Sequence, residues 1–371
     1  MINTNIFAGL MSGTSLDGVD GLLVKFTGDH ELQVLARHNL PFPEKLRNQL
    51  QHLAHAENIT FSDLASAEEE LTLCYARCWQ ELEKKAPDAK PQALGCHGQT
   101  LEHRPEIGYS LQLLNPSLLA EQTACNIICD FRRRDLAAGG QGAPLVPAFH
   151  QGFLSSTQED RVIVNLGGIA NLTWLPADAN QEPLGFDTGP ANLLLDAWCH
   201  QNLGTHYDEN GNWAQSGQVD QELLKQLFME PYFSAPYPKS TGREKFNPAW
   251  LEKQLECSGV KNRKPADVQA TLVELTALSL CQAIQQLDPL QTARLLICGG
   301  GSQNTYLMER IAHLASPRPV STTRDAGLPP QDVEAAAFAW LAQQHLLKQP
   351  GNLPSATGAK GSRVLGGFYP A

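Results

Sequence analysis

The densest run of residues able to do chemistry lies near the start, in Gly9 to Asp20, GLMSGTSLDGVD, centred on Ser12, Gly13, Thr14, Ser15, Leu16, Asp17 and Gly18. A phosphate cradle needs small residues so that successive main-chain N–H groups can point inward, hydroxyls to donate, and a carboxylate to hold Mg2+ through water. The run offers all three. On composition alone it reads equally as the glycine-rich tip of a hairpin, and without the G-x-x-x-x-G-K-[ST] lysine it is no Walker loop.

A second candidate is Gly185 to Asn192, GFDTGPAN, where Asp187 stands between glycines and Pro190 precedes a helix-like run from Ala191. That pattern presents a carboxylate at a helix N-terminus beside a ligand, as a general base or as an ordinary cap or turn aspartate. His97 and Gln99, in GCHGQT at a strand end, have the donors and acceptors to meet sugar hydroxyls, and one of Arg132, Arg133 and Arg134 can pair with a carboxylate or phosphate. The plain alternatives are a satisfied buried histidine and a solvated basic face. Gly299, Gly300, Gly301 and Ser302 follow an apolar segment directly, a turn that lets a flat ligand approach the backbone.

Elements to carry these groups are written in the same text. Ile6 to Leu10 and Gly21 to Phe26 predict two strands around the first turn, and Pro43 to Lys85 has the three-to-four spacing of a helical layer. Ala93 to Gly98 and Cys125 to Asp130 read as buried strands, whose ends in an open sheet receive ligands. Arg161 to Asn165, the turn LGGIA, and Asn171 to Leu175 repeat the opening strand–turn–strand pattern, which suggests duplicated architecture. A helix from about Ala270 to Leu287, a strand Leu295 to Cys298, and a last helix Asp332 to Leu347 capped by Asp332 complete the reading. The shift in composition at FRRRDLAAGGQGAPLVP predicts a domain crossing after residue 130, giving one domain of 1–130 plus about 348–371 and another of 131–347.

The bulk numbers set the frame. A chain of 371 residues with 42% hydrophobic and 18% charged residues has globular composition and is long enough for two domains. A net charge of -11 argues against a broad nucleic-acid or anionic-membrane surface. The N-terminus has no signal-like pattern and no run reaches the length of a membrane span, so a cytoplasmic location is expected. Nine cysteines, scattered and without a matching second pair for either C-x-x-x-C, are expected as reduced thiols rather than zinc ligands.

Six blocks in one order, GLMSGTSLDGVD, CHGQT, DFRRRD, NLGGIANLT, GFDTGPAN and ICGGGSQN, spread over most of the length. With them the chain resembles the anhydro-N-acetylmuramic acid kinase family. The resemblance implies an actin-like ATPase (ribonuclease H-like) fold of two α/β domains with duplicated mixed sheets and an ATP cleft between them. It assigns Gly13, Thr14, Ser15, Leu16, Asp17, Gly18, Val19 and Asp20 to ATP phosphates and Mg2+, Gly167, Gly168 and Asn171 to a second phosphate loop, and Gly299 to Ser302 to adenosine. It also implies the reaction, in which water opens the 1,6-anhydro bridge and O6 takes the γ-phosphoryl group, and it casts Asp187 as the base for that water. Glu334 is a second carboxylate or a solvated first-turn residue, and His97, Gln99, Arg132 and Asn192 are expected at the amino-sugar substrate. The family suggests a homodimer. Rival readings are another sugar kinase or phosphohydrolase on this fold, and a nucleotide-driven binding protein of the chaperone or actin type.

Overall fold

The computed structural model describes residues 5–371 apart from 14, 29–30, 57, 238 and 260–262. The chain divides into two compact units, Met1–Phe153 with Asp332–Ala371, and Leu154–Gln331. The first contains β1 (Ile6–Met11), β2 (Gly18–Gly28), β3 (Glu31–Pro41), β4 (Leu94–Cys96), β5 (Gln99–Arg104), β6 (Tyr109–Leu113) and β7 (Ile127–Cys129). The second contains β8 (Arg161–Leu166), β9 (Ile169–Leu175), β10 (Leu184–Pro190), β11 (Arg294–Cys298) and β12 (Val320–Thr322), and the chain returns to the first unit for β13 (Gly367–Tyr369).

The main sheet of the first unit runs β13-β7-β4-β1-β2-β3, and that of the second runs β10-β9-β8-β11-β12. In each, three antiparallel strands formed by consecutive hairpins are extended by two parallel strands on the side of the first. A strand order of 3-2-1-4-5 occurring twice is the duplicated mixed sheet of an actin-like ATPase. The duplication expected from the opening hairpins, and the ribonuclease H-like architecture implied by the family resemblance, are therefore present in both halves.

In the first unit the register shows how the sheet is covered. Gly9 pairs with Leu22 and Leu10 with Gly21, so the two glycines lie on opposite faces. A Cβ on Gly21 would press on Cys78 and Leu82 of the helix Phe61–Lys85, whereas one on Gly9 would run into the backbone of Ala335 and Ala339 in the helix Val333–Leu347. Gly95 on β4 faces Phe338 and Ala342 of that same helix. Missing side chains thus let Val333–Leu347 lie directly on β1 and β4, and this packing puts it in the first unit. The observed units differ from the expected bounds for this reason: residues 131–153 and 332–347 pack with the opening sheet.

Asp332 is also not the side-chain cap expected of it. It makes no side-chain cap bond to the helix, and instead pairs with Arg37 at 3.1 Å. The turn-rich tail is fastened through Asp135, which is fully buried and accepts from Gly142 N at 2.8 Å, Asn352 Nδ2 at 2.7 Å and Thr357 Oγ1 at 2.8 Å. Asp135→Asn turns an NH2 group toward at least one of these donors, and should lower unfolding free energy by about 2 kcal/mol, read as a shift in urea midpoint with unchanged slope. All nine cysteines are free thiols.

Candidate active site

The first turn is held from outside. Ser12 is buried, its Oγ lying 2.8 Å from Tyr75 Oη and donating to Gly98 O at 3.1 Å. Gln99 Nε2 donates to Gly13 O at 3.2 Å, and Arg47 Nε donates to Leu16 O at 3.2 Å. Leu16 takes the left-handed conformation, with φ of 60°, while its side chain is buried. A non-glycine residue held there marks a turn whose shape is fixed by its surroundings. Thr14 lies outside the described residues. Ser15, Asp17 and Asp20 are exposed, while Gly18 and Val19 are buried against β3. Desolvation raises the Asp20 carboxyl, a hydrogen bond from Asn39 Nδ2 at 2.7 Å opposes this, and the Asp17 charge adds to the rise.

His97 and Gln99 come to this turn as expected of a strand end; both ring nitrogens of His97 and the Nε2 of Gln99 bond the protein, while Gln99 Oε1 is buried with no partner among the described residues. His97 Nδ1 donates to Ser12 O at 3.3 Å, and Nε2 accepts from Arg132 at 2.9 Å. Burial, with the Arg132 charge beside it, lowers His97 to about 3, so the ring is neutral. Arg132 also donates to Gly142 O at 2.8 Å. Burial lowers Arg132 to about 10, opposed by the charges of Glu334 and Asp135. Arg132, His97, Glu334 and the first turn therefore belong to one electrostatic cluster of the first unit. Arg133 instead bonds Ser110 O at 3.1 Å and Arg134 is exposed.

The second glycine turn is built by the helix Asn192–Leu203. Asn192 N donates to Gly167 O at 3.1 Å, while Ala191 N and Leu193 N donate to Gly168 O at 2.9 and 3.0 Å. With these carbonyls tied to the helix, planar trans peptides send the N–H groups that follow them to the opposite side. Among the described residues, added Cβ atoms at Gly167 and Gly168 would meet nothing closer than 3.5 Å. Asn192 Nδ2 donates to Leu166 O at 3.0 Å, which places this residue on the turn itself. Gly299, with φ of +81°, and Gly301 both press on the end of β8, whereas a Cβ at Gly300 would find, among the described residues, only Asn192 Nδ2, at 4.0 Å. Ser302 Oγ closes the turn on Gly299 O at 2.6 Å.

Asp187 corrects the sequence reading of its position. It is not at a helix N-terminus but within β10, at a bulge between Asp187 and Gly189, opposite Asn171 of β9. β10 is the edge of its sheet, so its outer backbone groups need other partners. A segment 45 to 54 residues later supplies them: Asp187 N donates to Lys239 O at 2.9 Å, Tyr232 Oη donates to Asp187 O at 2.7 Å, and Thr241 N donates to Asp187 Oδ2 at 3.0 Å. Burial pushes the Asp187 carboxyl up to about 7, the Thr241 N–H opposes the rise, and the Glu244 charge adds to it. A carboxyl that titrates there can exchange a proton at neutral pH. Tyr232, Lys239, Thr241 and Glu244 were not found from sequence, because two of the three bonds use main-chain groups that no residue type announces.

The site residues thus fall into two sets, Gly13 to Asp20 with His97, Gln99, Arg132 and Glu334 on the first unit, and Gly167, Gly168, Asn171, Asp187, Asn192 and Gly299 to Ser302 on the second. Among the described residues no group of three or more His, Cys, Asp or Glu side chains is arranged to hold a metal ion alone. A family model described as anhydro-N-acetylmuramic acid kinase matches residues 5–371. A protein of that name from Bordetella avium (strain 197N) is 50% identical over 366 residues, covering 98% of this chain and 96% of the relative. Another of that name, from Shewanella sediminis (strain HAW-EB3), is 46% identical over 374 residues and covers 100% of both. A duplicated ATPase sheet, glycine turns on both units and a buried carboxylate tuned to neutral pH agree with this match along the whole length: the chain belongs to the anhydro-N-acetylmuramic acid kinase family.

Proposed function

We propose that this chain uses ATP to phosphorylate 1,6-anhydro-N-acetylmuramic acid while water opens its 1,6-anhydro ring, giving N-acetylmuramic acid 6-phosphate and ADP in peptidoglycan recycling. The observation that carries the reading is the Asp187 carboxyl, pushed up to about 7 at a bulge in an edge strand. An ordinary sugar kinase deprotonates the hydroxyl that attacks phosphorus; here the bridge oxygen O6 bears no proton. The base must therefore serve water. Asp187 takes a proton from water as its oxygen bonds to C1, the C1–O6 bond breaks toward O6, and O6 accepts the γ-phosphoryl group. In-line placement and neutralisation of phosphate charge are what the protein must add.

In this reading the turn Gly13 to Asp20 and the turn Gly167–Gly168 bind the ATP phosphates, and Gly299 to Ser302 lie against adenosine. The open sides of Gly167, Gly168 and Gly300 support that assignment. Mg2+ would be held by Asp17 and Asp20, whose hard oxygens and mutual repulsion suit a cation that needs only one or two carboxylates beside phosphates and water. When bound it supplies neutralisation of phosphate charge. Arg132 and Glu334 stand on the sugar side, where Arg132 is suited to the lactyl carboxylate. His97 and Gln99 act by holding Ser12 and Gly13. A cytoplasmic location and a homodimer go with this proposal; among the described residues no helix is long and apolar enough to cross a membrane.

Turnover in water labelled with oxygen-18 tests the coupled reaction. One label is expected in the anomeric hydroxyl at C1 and none in the phosphoryl group. Label in released phosphate, with no sugar product, would instead mean ATP hydrolysis.

A further inference from the structure

The segment that grips Asp187 does more than complete a sheet edge. Tyr232 is fixed by edge-on packing against Phe246, with ring centroids 5.6 Å apart, and Lys239 Nζ donates to the carbonyls of Tyr232 and Phe233 at 2.8 and 3.1 Å. Gly189, with φ of +152°, makes room for the Phe233 ring, toward which a Cβ would point at 2.8 Å. The segment is thereby seated on β10 independently of Thr241. At Thr241 the main-chain N–H alone makes the bond to Asp187 Oδ2, and any residue but proline provides that group. Yet the side chain adds a hydroxyl, Oγ1, which is buried with no hydrogen-bond partner among the described residues. An unpaired buried hydroxyl destabilises the fold, and a valine of the same shape would avoid that cost. This hydroxyl is carried by the residue whose N–H bonds the Asp187 carboxylate, so an unused donor and acceptor stands beside the base.

We propose that Thr241 is a second catalytic residue of the water-activating site, its N–H orienting the Asp187 carboxylate and its Oγ1 holding the water that attacks the sugar. This rests on Asp187 as the base. Oγ1 accepts a hydrogen bond from the water proton that stays on the product's anomeric hydroxyl. The other water proton passes to Asp187, the water oxygen bonds to C1, and the C1–O6 electron pair goes to O6, which takes the phosphoryl group. Thr241 exchanges no proton. Its contribution is orientation, with the water's lone pair aimed at C1.

The test compares Thr241→Val, Thr241→Ser and Asp187→Asn in the full-length protein, with 1,6-anhydro-N-acetylmuramic acid and Mg-ATP. Thr241→Val keeps the N–H and loses the hydroxyl; it should lower kcat roughly 10- to 100-fold with KM for ATP unchanged, while the melting temperature holds or rises. Thr241→Ser should retain most of the rate, which guards against a valine variant that packs badly. A wild-type rate in a folded Thr241→Val, with Asp187→Asn inactive, overturns the role of Thr241 and leaves the base intact. A wild-type rate in Asp187→Asn overturns the reading of Asp187 itself.

Discussion

Asp187→Asn should lower kcat by about 10³-fold or more, leave KM for ATP within a few-fold of wild type, and yield a protein that is more stable at pH 8. The rate loss follows because an amide cannot take a proton from water, and proton transfer by a placed base is worth roughly 10²- to 10⁴-fold. ATP binding is spared because the residue proposed as base is not among those proposed for the nucleotide. The gain in stability follows from linkage. Asp187 titrates near 3.8 in the unfolded chain and near 7 in the folded one, so between those values the folded state holds the extra proton. Its contribution to stability is full below the unfolded value and falls as pH rises toward 7. Asparagine has no charge to desolvate and can still accept from Thr241 N, so that loss disappears. In wild type the same titration makes kcat fall as pH drops below about 7. An inactive variant with a raised melting temperature separates lost chemistry from lost folding; an active one removes Asp187 from the mechanism.

The hairpins β1–β2 and β8–β9 were legible because each alternates apolar strands around a glycine turn, and local pattern is what sequence records best. The long helices Phe61–Lys85 and Pro265–Leu287 were legible from their spacing. β3 was not, because it is mostly half-exposed and lacks a buried run. β10 was read as the approach to a helix N-terminus, because Gly185, Gly189 and Pro190 break a strand pattern and precede a helix-like run; they serve a bulge on an edge strand. The helix Val333–Leu347 is buried nearly all round, and a helix without a polar face does not say which sheet it covers. The candidate site divides in the same way. Residue types proposed Asp187, His97 and the glycines, but the grip of residues 232–241 on Asp187 depends on main-chain atoms brought together by folding. Sequence also left open whether His97 was a ligand contact or a satisfied buried ring, and the bonds at both its nitrogens favour the second.

Gly95→Ala should destabilise the fold by at least about 3 kcal/mol, because the new methyl group has no direction in which to relax. It would overlap the Phe338 carbonyl and approach Ala342 Cβ at 3.1 Å, so the obstacle is helix backbone rather than the tip of a flexible side chain. Overpacking of this kind usually costs 1–3 kcal/mol, and more where backbone must move. The damage reaches function through the same helix. Glu334 sits in its first turn, and the Glu334 charge helps keep Arg132 protonated in its buried position. Pushing Val333–Leu347 off β4 moves that carboxylate away from Arg132, so the fraction that still folds should show a raised KM for the sugar before kcat is affected. Gly28→Ala is the control: among the described residues its methyl group would meet only Glu31 Cβ at 3.9 Å, and the expected change is within about 0.5 kcal/mol. Urea unfolding of the two variants beside wild type, with sugar KM measured on the folded fraction, decides the matter. Equal stability of Gly95→Ala and Gly28→Ala would mean that the helix is not held by close backbone contact with the sheet.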